Sequence, residues 1–211
     1  MSDRPTGVVD PAIALIEFDS IAVGLVAADA MVKSSPLGSI YAGTVHPGKY
    51  LVLVSGDTAS VEEALGMGLD VGRSRILDHV FLPDVHPAVT MAVAGGNDSA
   101  PVNGDALGII ETATVATVIE AADAGVKAAR VDLAAVRLAD GLGGKGYALF
   151  CGVVAEVEAA VETAVDRALP TGMLLHHRVI PQLHSEVADN LRRDLRFMTR
   201  IGKRSSERGA D

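Results

Sequence analysis

The residues best able to do chemistry are few, and their spacing assembles no reaction site. Gly141-Leu142-Gly143-Gly144-Lys145-Gly146 fits G-x-G-x-x-G, the turn that brings a dinucleotide pyrophosphate onto a helix N-terminus. That chemistry needs a strand before the turn and a helix after it. Here Tyr147-Ala148-Leu149-Phe150-Cys151 follows, an apolar run that predicts a strand, so no cofactor is expected. His176, His177, His184 and Glu186 could suggest a metal centre, but they lack the H-x-x-x-H spacing of one helix face and have no cysteine beside them. Structural hydrogen bonds are the expectation for His79 and His177, and no metal is expected. No G-x-S-x-G elbow is present, and Ser185 beside His184 reads as a helix cap. Glu62 and Glu63 are neighbours on a predicted helix and face different directions. No catalytic residue is expected.

Composition narrows the classes further. The chain has 211 residues, 49% of them apolar and 21% charged, enough for a packed core. It has no Trp, three Tyr and four Phe, so Ala, Val, Leu and Ile must fill that core and stacking platforms for bases are scarce. One cysteine, Cys151, excludes a disulfide framework and reads as a small buried hydrophobe at a strand end. The net charge of −9 disfavours nucleic acid as a partner. Basic residues gather at the end of the chain, in Arg192, Arg193, Arg196, Lys203 and Arg204, where a solvated terminus is expected. No apolar run approaches the roughly 18 residues that span a bilayer, and residues 1–5 have no signal-like apolar core. A cytoplasmic protein without membrane contact is the expectation.

The chain repeats itself. Ile16-Glu17 returns as Ile110-Glu111, and Asp29, Val32 and Lys33 return as Asp123, Val126 and Lys127, all at one offset. Later, Leu77, His79, Pro83, His86 and Val89 match Leu175, His177, Pro181, His184 and Val187 in the same order. Small insertions account for the drift between the two sets. The expected division is a first domain at 1–93, a Gly/Asn/Ser/Pro linker at 94–104, a second domain at 105–197 and a basic tail at 198–211.

In the second copy, 106–111 reads as a strand, and 115–129 carries Val115, Val118, Ile119, Ala122 and Val126 at helical spacing. Residues 131–138 alternate like a half-buried strand, 140–146 is a glycine-rich turn and 147–151 a further strand. A helix over 154–168, a strand over 174–180 and a helix over 184–195 complete the copy. The order β-α-β-β-α-β-α predicts an α+β fold: two ferredoxin-like domains, each an antiparallel sheet with helices on one face and an added C-terminal helix.

The strings Ala106-Leu107-Gly108-Ile109-Ile110-Glu111-Thr112, Ile119 to Lys127, Gly152 to Val161 and His184-Ser185-Glu186-Val187 resemble the bacterial microcompartment shell domain. The likeness spans nearly the whole second copy and, more loosely, the first. Because the elements run in unpermuted order, the chain resembles the tandem-domain shell proteins. That resemblance implies a homotrimer of six domains forming a flat pseudo-hexagonal tile that assembles with other shell proteins. It also implies a central pore for small polar or anionic metabolites. Its pore-lining residues would be His46, Pro47, Gly48 and Lys49 of the first copy, with Asp140, Gly141, Leu142, Gly143, Gly144 and Lys145 of the second. Lys33 and Lys127 would lie on the tile edge. The family often carries an arginine two residues before the histidine that opens the last helix; here those positions are Asp84 and Gln182. Some tandem shell proteins hold an iron–sulfur cluster on pore-loop cysteines, and neither loop here has one.

The residues alone leave alternatives open. Glycine lets backbone approach an axis closely and leaves N–H groups for a passing anion, yet the same sequence suits an ordinary hairpin loop. A soluble ferredoxin-like regulator that binds a small anionic metabolite at the glycine loop is the rival reading.

Overall fold

A computed structural model describes residues 10–94 and 106–193. The expected linker, apart from Ala94, and the expected basic tail lie outside the described residues. The first repeat runs β1 (Ala12–Phe18), α1 (Ile21–Ser34), β2 (Ser39–Val45), β3 (Lys49–Gly56), α2 (Thr58–Gly72), a 3-10 turn at Arg73–Arg75, β4 (Ile76–Leu82) and α3 (Pro87–Val93). The second runs β5 (Ala106–Thr112), α4 (Val115–Ala128), β6 (Asp132–Leu138), β7 (Gly146–Gly152), α5 (Val154–Ala168), a 3-10 turn at Leu169–Thr171, β8 (Leu174–Ile180) and α6 (Ser185–Arg193).

Local chemistry sets these limits. Ser20 caps α1 by accepting the Val23 N–H, and Asp57 caps α2 by accepting the Ser60 N–H at 3.0 Å. Pro170 lies in the turn that ends α5, where its missing N–H costs no ladder bond. All seven residues of β1 are buried, as a central strand covered on both faces requires.

Each repeat makes one antiparallel four-stranded sheet, ordered β2-β3-β1-β4 and β6-β7-β5-β8. The registers correspond: Ala12 pairs with Gly56 as Ala106 pairs with Gly152, and Glu17 pairs with Asp78 as Glu111 pairs with His176. Both central strands carry an irregularity at the next residue, Phe18 and Thr112. Position by position, then, Glu17, Lys49, Asp78 and Val80 correspond to Glu111, Lys145, His176 and Arg178.

The two long helices of each repeat cover one face of its sheet, as expected. The last helix takes the other face: Ala188 and Leu191 of α6 pack with Leu107, Leu149 and Cys151, which alternate with the helix-facing Gly108 and Phe150. These alternate strand positions are apolar and need a cover of their own.

The repeats are not separate bodies. Leu15, Val80, Leu82, Val85 and Val89 of the first form one apolar cluster with Val115, Ile119, Ala122 and Val126 of the second. The α4 helix thus lies against the β1–β4 side of the first sheet. No helix among the described residues is long and apolar enough to cross a membrane.

Candidate functional site

The two glycine loops join β2 to β3 and β6 to β7. The shorter is His46-Pro47-Gly48, with a cis His46–Pro47 peptide and Gly48 at φ 98°. The longer turns through Ala139, Gly141, Gly143 and Gly144, all at positive φ, which is why glycine is needed three times. It closes on itself through Leu142 N–H to Ala139 O and Ala139 N–H to Lys145 O, both 2.9 Å. The N–H groups of Gly141 and Gly143 take no part in these bonds.

The loops meet. A Cβ on Gly144 would stand 2.9 Å from Pro47 Cδ and 3.0 Å from Lys49 Cε. On the solvent side, His46 Nδ1 lies 3.7 Å from Asp140 Oδ1, with both side chains exposed. All ten loop residues singled out from the sequence therefore belong to one corner of the molecule.

Beneath that corner lies a charged staple that the sequence did not reveal. Glu17 has no solvent exposure. Its carboxylate accepts from Lys49 Nζ at 2.5 Å and from the backbone N–H of Val115, the first residue of α4, at 2.8 Å. Lys49 also donates to Gly144 O at 3.1 Å and Ala113 O at 3.4 Å. Burial pushes the Glu17 carboxyl above its ordinary range, while the bonds from Lys49 and Val115 pull it back. Lys49 thus ties β1 and β3 to the second repeat's loop, and its charge is balanced. Beside it, Asp78 accepts the hydroxyls of Thr114 and Thr117, the latter at 2.7 Å.

The second repeat has the same pair in the open: Lys145 Nζ lies 2.7 Å from Glu111 Oε1, with half of the lysine side chain exposed. The signal that could have found the staple was in the sequence. Glu17 and Glu111 are lone acids in otherwise apolar strands, repeated in register with lysines after each loop.

Lys33 and Lys127, at the ends of α1 and α4, sit apart from this corner. Lys33 pairs with Asp29 at 2.5 Å, fully on the surface. Lys127 pairs with the buried Asp123 at 2.7 Å and also donates to the carbonyl of Asp84, so it bridges the two repeats. Asp84, at the position where the resemblance expects arginine, contributes its backbone there.

The histidines do not converge, and among the described residues no group of three or more His, Cys, Asp or Glu could hold a metal ion. His86 Nδ1 and His184 Nδ1 accept N–H groups at the starts of α3 and α6, the role of helix caps. Cys151 is buried, and burial pushes its thiol up to about 11, leaving almost no thiolate near neutrality.

The BMC domain profile matches residues 12–85 and again 106–183. The chain is 38% identical over 176 residues to the bacterial microcompartment shell protein PduT of Citrobacter freundii, covering 83% of this chain and 95% of that protein. It is 40% identical over 85 residues to the shell protein EutM of Escherichia coli (strain K12), covering 40% of this chain and 86% of that one. Among solved structures, it is similar to a microcompartment protein from Desulfitobacterium hafniense, with TM-score 0.74, 40% identity, and coverage of 85% of this chain and 98% of that one. A fused permuted hexameric shell protein, 20% identical with TM-score 0.57 over 78% of this chain and 84% of its own, shares the fold.

Proposed function

The chain belongs to the BMC-domain family of bacterial microcompartment shell proteins as a tandem of two such domains, and from that premise we propose that it is a structural tile of a microcompartment shell in the bacterial cytoplasm. Three copies supply six domains to a flat pseudo-hexagonal ring. The glycine loops surround its central pore, and small polar or anionic metabolites pass through. The role is structural rather than catalytic, and its partners are further copies of itself, other shell proteins and molecules in transit.

The observation that carries this reading is the meeting of the two loops. Within the chain, one repeat presents its β1–β4 side and the next fits α4 against it, a head-to-tail relation. Head-to-tail contacts generate either closed rings or open helical filaments. If a rotation carries one repeat onto the next and their equivalent loops touch, the rotation axis runs close to those loops. Gly144 against Pro47 supports placing that axis at the glycine corner. Closure after three chains gathers residues 46–49 and 140–145 around one opening.

The lysines at the resulting mouth are not free ammonium groups. Lys49 is held by Glu17 and Lys145 by Glu111. Backbone N–H groups of Gly141 and Gly143, with the exposed His46 and Asp140 side chains, face the opening. Selection there follows from radius, donors and local field. Lys33 and Lys127, at the helix ends remote from the loops, lie at the outer ends of the joints between repeats, where Lys127 reaches the Asp84 carbonyl, and the part of each side chain left exposed serves lateral contact between tiles.

Native mass spectrometry and negative-stain electron microscopy of the full chain test the proposal. The expected result is a three-chain species seen as six-lobed flat particles with a central hole, packing into sheets. A monomer, or an open filament with no hole, overturns it.

A further inference from the structure

A chain that closes into a ring head to tail has one joint inside itself and one with its neighbour, and the two here differ in chemistry. The inner joint is complete. Val115, Ile119 and Val126 on α4 and Val80, Leu82 and Val89 on the other side are all buried. The equivalent surfaces at the chain's two ends are open: Ile21, Leu25 and Val32 on α1 are 42%, 53% and 49% exposed, and Ile180 and Val187 are 37% and 46% exposed. Where the first repeat receives α4, the second has a hollow of about 300 Å³ lined by Ile109, Glu111, His176, His177 and Arg178.

We propose that this hollow is the socket for the first turn of α1 from a second copy, and that the joint between chains, unlike the joint within one, loosens on acidification because His176 stands in the place of Asp78. The inference rests on the tile reading. It adds to that reading a partner segment, a set of contacts and a pH response.

Residue equivalence supplies the contacts. Glu17 accepts the Val115 N–H, so Glu111 accepts the N–H of Ile21 from the second copy. Asp123 accepts the His86 N–H at 2.8 Å, so Asp29 of the second copy accepts that of His184. Lys127 reaches the Asp84 carbonyl, so Lys33 of the second copy reaches that of Gln182.

The charges do not carry over. The inner socket holds Glu17 and Asp78 against Lys49, formally −2 + 1 = −1, facing the partly positive N-terminus of α4. The outer socket holds Glu111 against Lys145 and Arg178, formally −1 + 2 = +1, facing the N-terminus of α1, whose first turn has no acid. An imidazolium at His176 raises this to +2 against the same helix end. On α6, which packs on the same face of the sheet, Asp189 is paired with Arg192 and Glu186 is exposed. On β5, Glu111 lies directly across from His176 but already accepts from Lys145. Tyr147 and Arg137 continue that cross-strand row on β7 and β6. On the opposite face, α5 crosses β8 with Glu158, Glu162 and Asp166 exposed and Arg167 directed to Glu120. On the incoming helix, Asp19 is paired with Arg75 and Asp29 with Lys33. Among the described residues, no acid is hydrogen-bonded or ion-paired to His176.

The sign follows from linkage. A protonated His176 sets a further cation against the partly positive end of α1, so the protonated chain associates more weakly. Association is therefore strongest above the ordinary histidine range of about 6.5 and weakens as pH falls through it.

Sedimentation velocity and native mass spectrometry of the full chain at fixed micromolar concentration, from pH 8 to 5.5, read the effect, with circular dichroism to follow the fold. The expected result is a rise of about tenfold or more in the dissociation constant of the wild type between pH 7.5 and 5.5, with the fold retained. In His176→Asn the rise falls to less than about twofold, and Arg178→Val tightens the assembly at every pH. Parallel profiles for wild type and His176→Asn, or a wild-type trimer indifferent to pH, overturn the acid response and leave the tile reading standing. A wild type that is monomeric even at pH 8 overturns both.

Discussion

Gly24 on α1 lies so close to Tyr50 on β3 that a Cβ on the glycine would stand 2.5 Å from the ring Cδ1. The equivalent pair in the second repeat has its sizes exchanged: Val118 is the large partner, and a Cβ on Gly146 would stand 2.4 Å from Val118 Cγ1. A related compensation recurs deeper: Met31, which crowds Gly68, stands where the second repeat has Gly125, and Gly125 is crowded by Phe150, which stands where the first repeat has Val54. The two cores keep one backbone and fill it differently.

A swap experiment follows. Gly24→Val alone overpacks the site and lowers stability by about 1–3 kcal/mol. Tyr50→Gly alone opens a cavity and costs about 3–5 kcal/mol. The double variant, which copies the second repeat, costs less than the sum by at least about 1 kcal/mol in urea unfolding. Strict additivity would refute the exchange.

Much of this fold was legible in the sequence because periodicity reports which side of an element is apolar. The strand over 174–180 and the helix over 154–168 are found at those residues, and the repeat placed both copies in one topology. What periodicity does not report is who covers the apolar side. Ile21 and Leu25 follow the same spacing as Val115 and Ile119, yet the first pair is exposed and the second wholly buried. Lys49 reads as a loop-end lysine until Glu17 is seen beneath it, because a contact between residues 32 apart leaves no local signature. The third helix of each repeat follows β4 or β8, as the sequence order predicts. Its side of the sheet depended on Leu107 and Leu149 needing a second cover.

Cys151 should be inert in the folded protein. With the thiol pushed up to about 11, the thiolate at pH 8 is on the order of one part in a thousand, and the sulfur is also shut from solvent. Ellman's reagent at pH 8 should label the chain only after denaturation, yielding one thiol per chain. Fast labelling of the native protein would mean that α6 does not stay on its sheet.

The contact between loops can be separated from loop strain. Gly141 and Gly144 both have positive φ, but only Gly144 has neighbours within reach of a Cβ. Gly141→Ala should therefore cost only the left-handed strain of about 1–2 kcal/mol. Gly144→Ala adds a clash with Pro47 and with a Lys49 that Glu17 prevents from swinging away, for a total of about 2–4 kcal/mol. Equal losses for the two variants in urea unfolding would show that the loops do not lean on each other.

Lys49 and Lys145 offer the sharpest test, since they are equivalent by position and different by burial. Lys49→Met leaves Glu17 buried without its cation and should cost about 3–5 kcal/mol at neutral pH. Lys145→Met, whose glutamate keeps solvent access, should cost no more than about 1 kcal/mol. The pH dependence has a definite sign. Burial already raises the Glu17 carboxyl above its reference of 4.5, and losing Lys49 removes two of the influences that hold it down. The folded Lys49→Met protein therefore binds a proton that the unfolded chain releases, and its stability falls as pH rises. Its deficit against wild type should be small near pH 4 and grow toward pH 7 by about 1.4 kcal/mol for each further unit of upward shift. Adding Glu17→Gln should flatten that dependence. A deficit that stays constant with pH would mean that Lys49 acts by packing alone and that the buried carboxylate is held by something other than its ammonium.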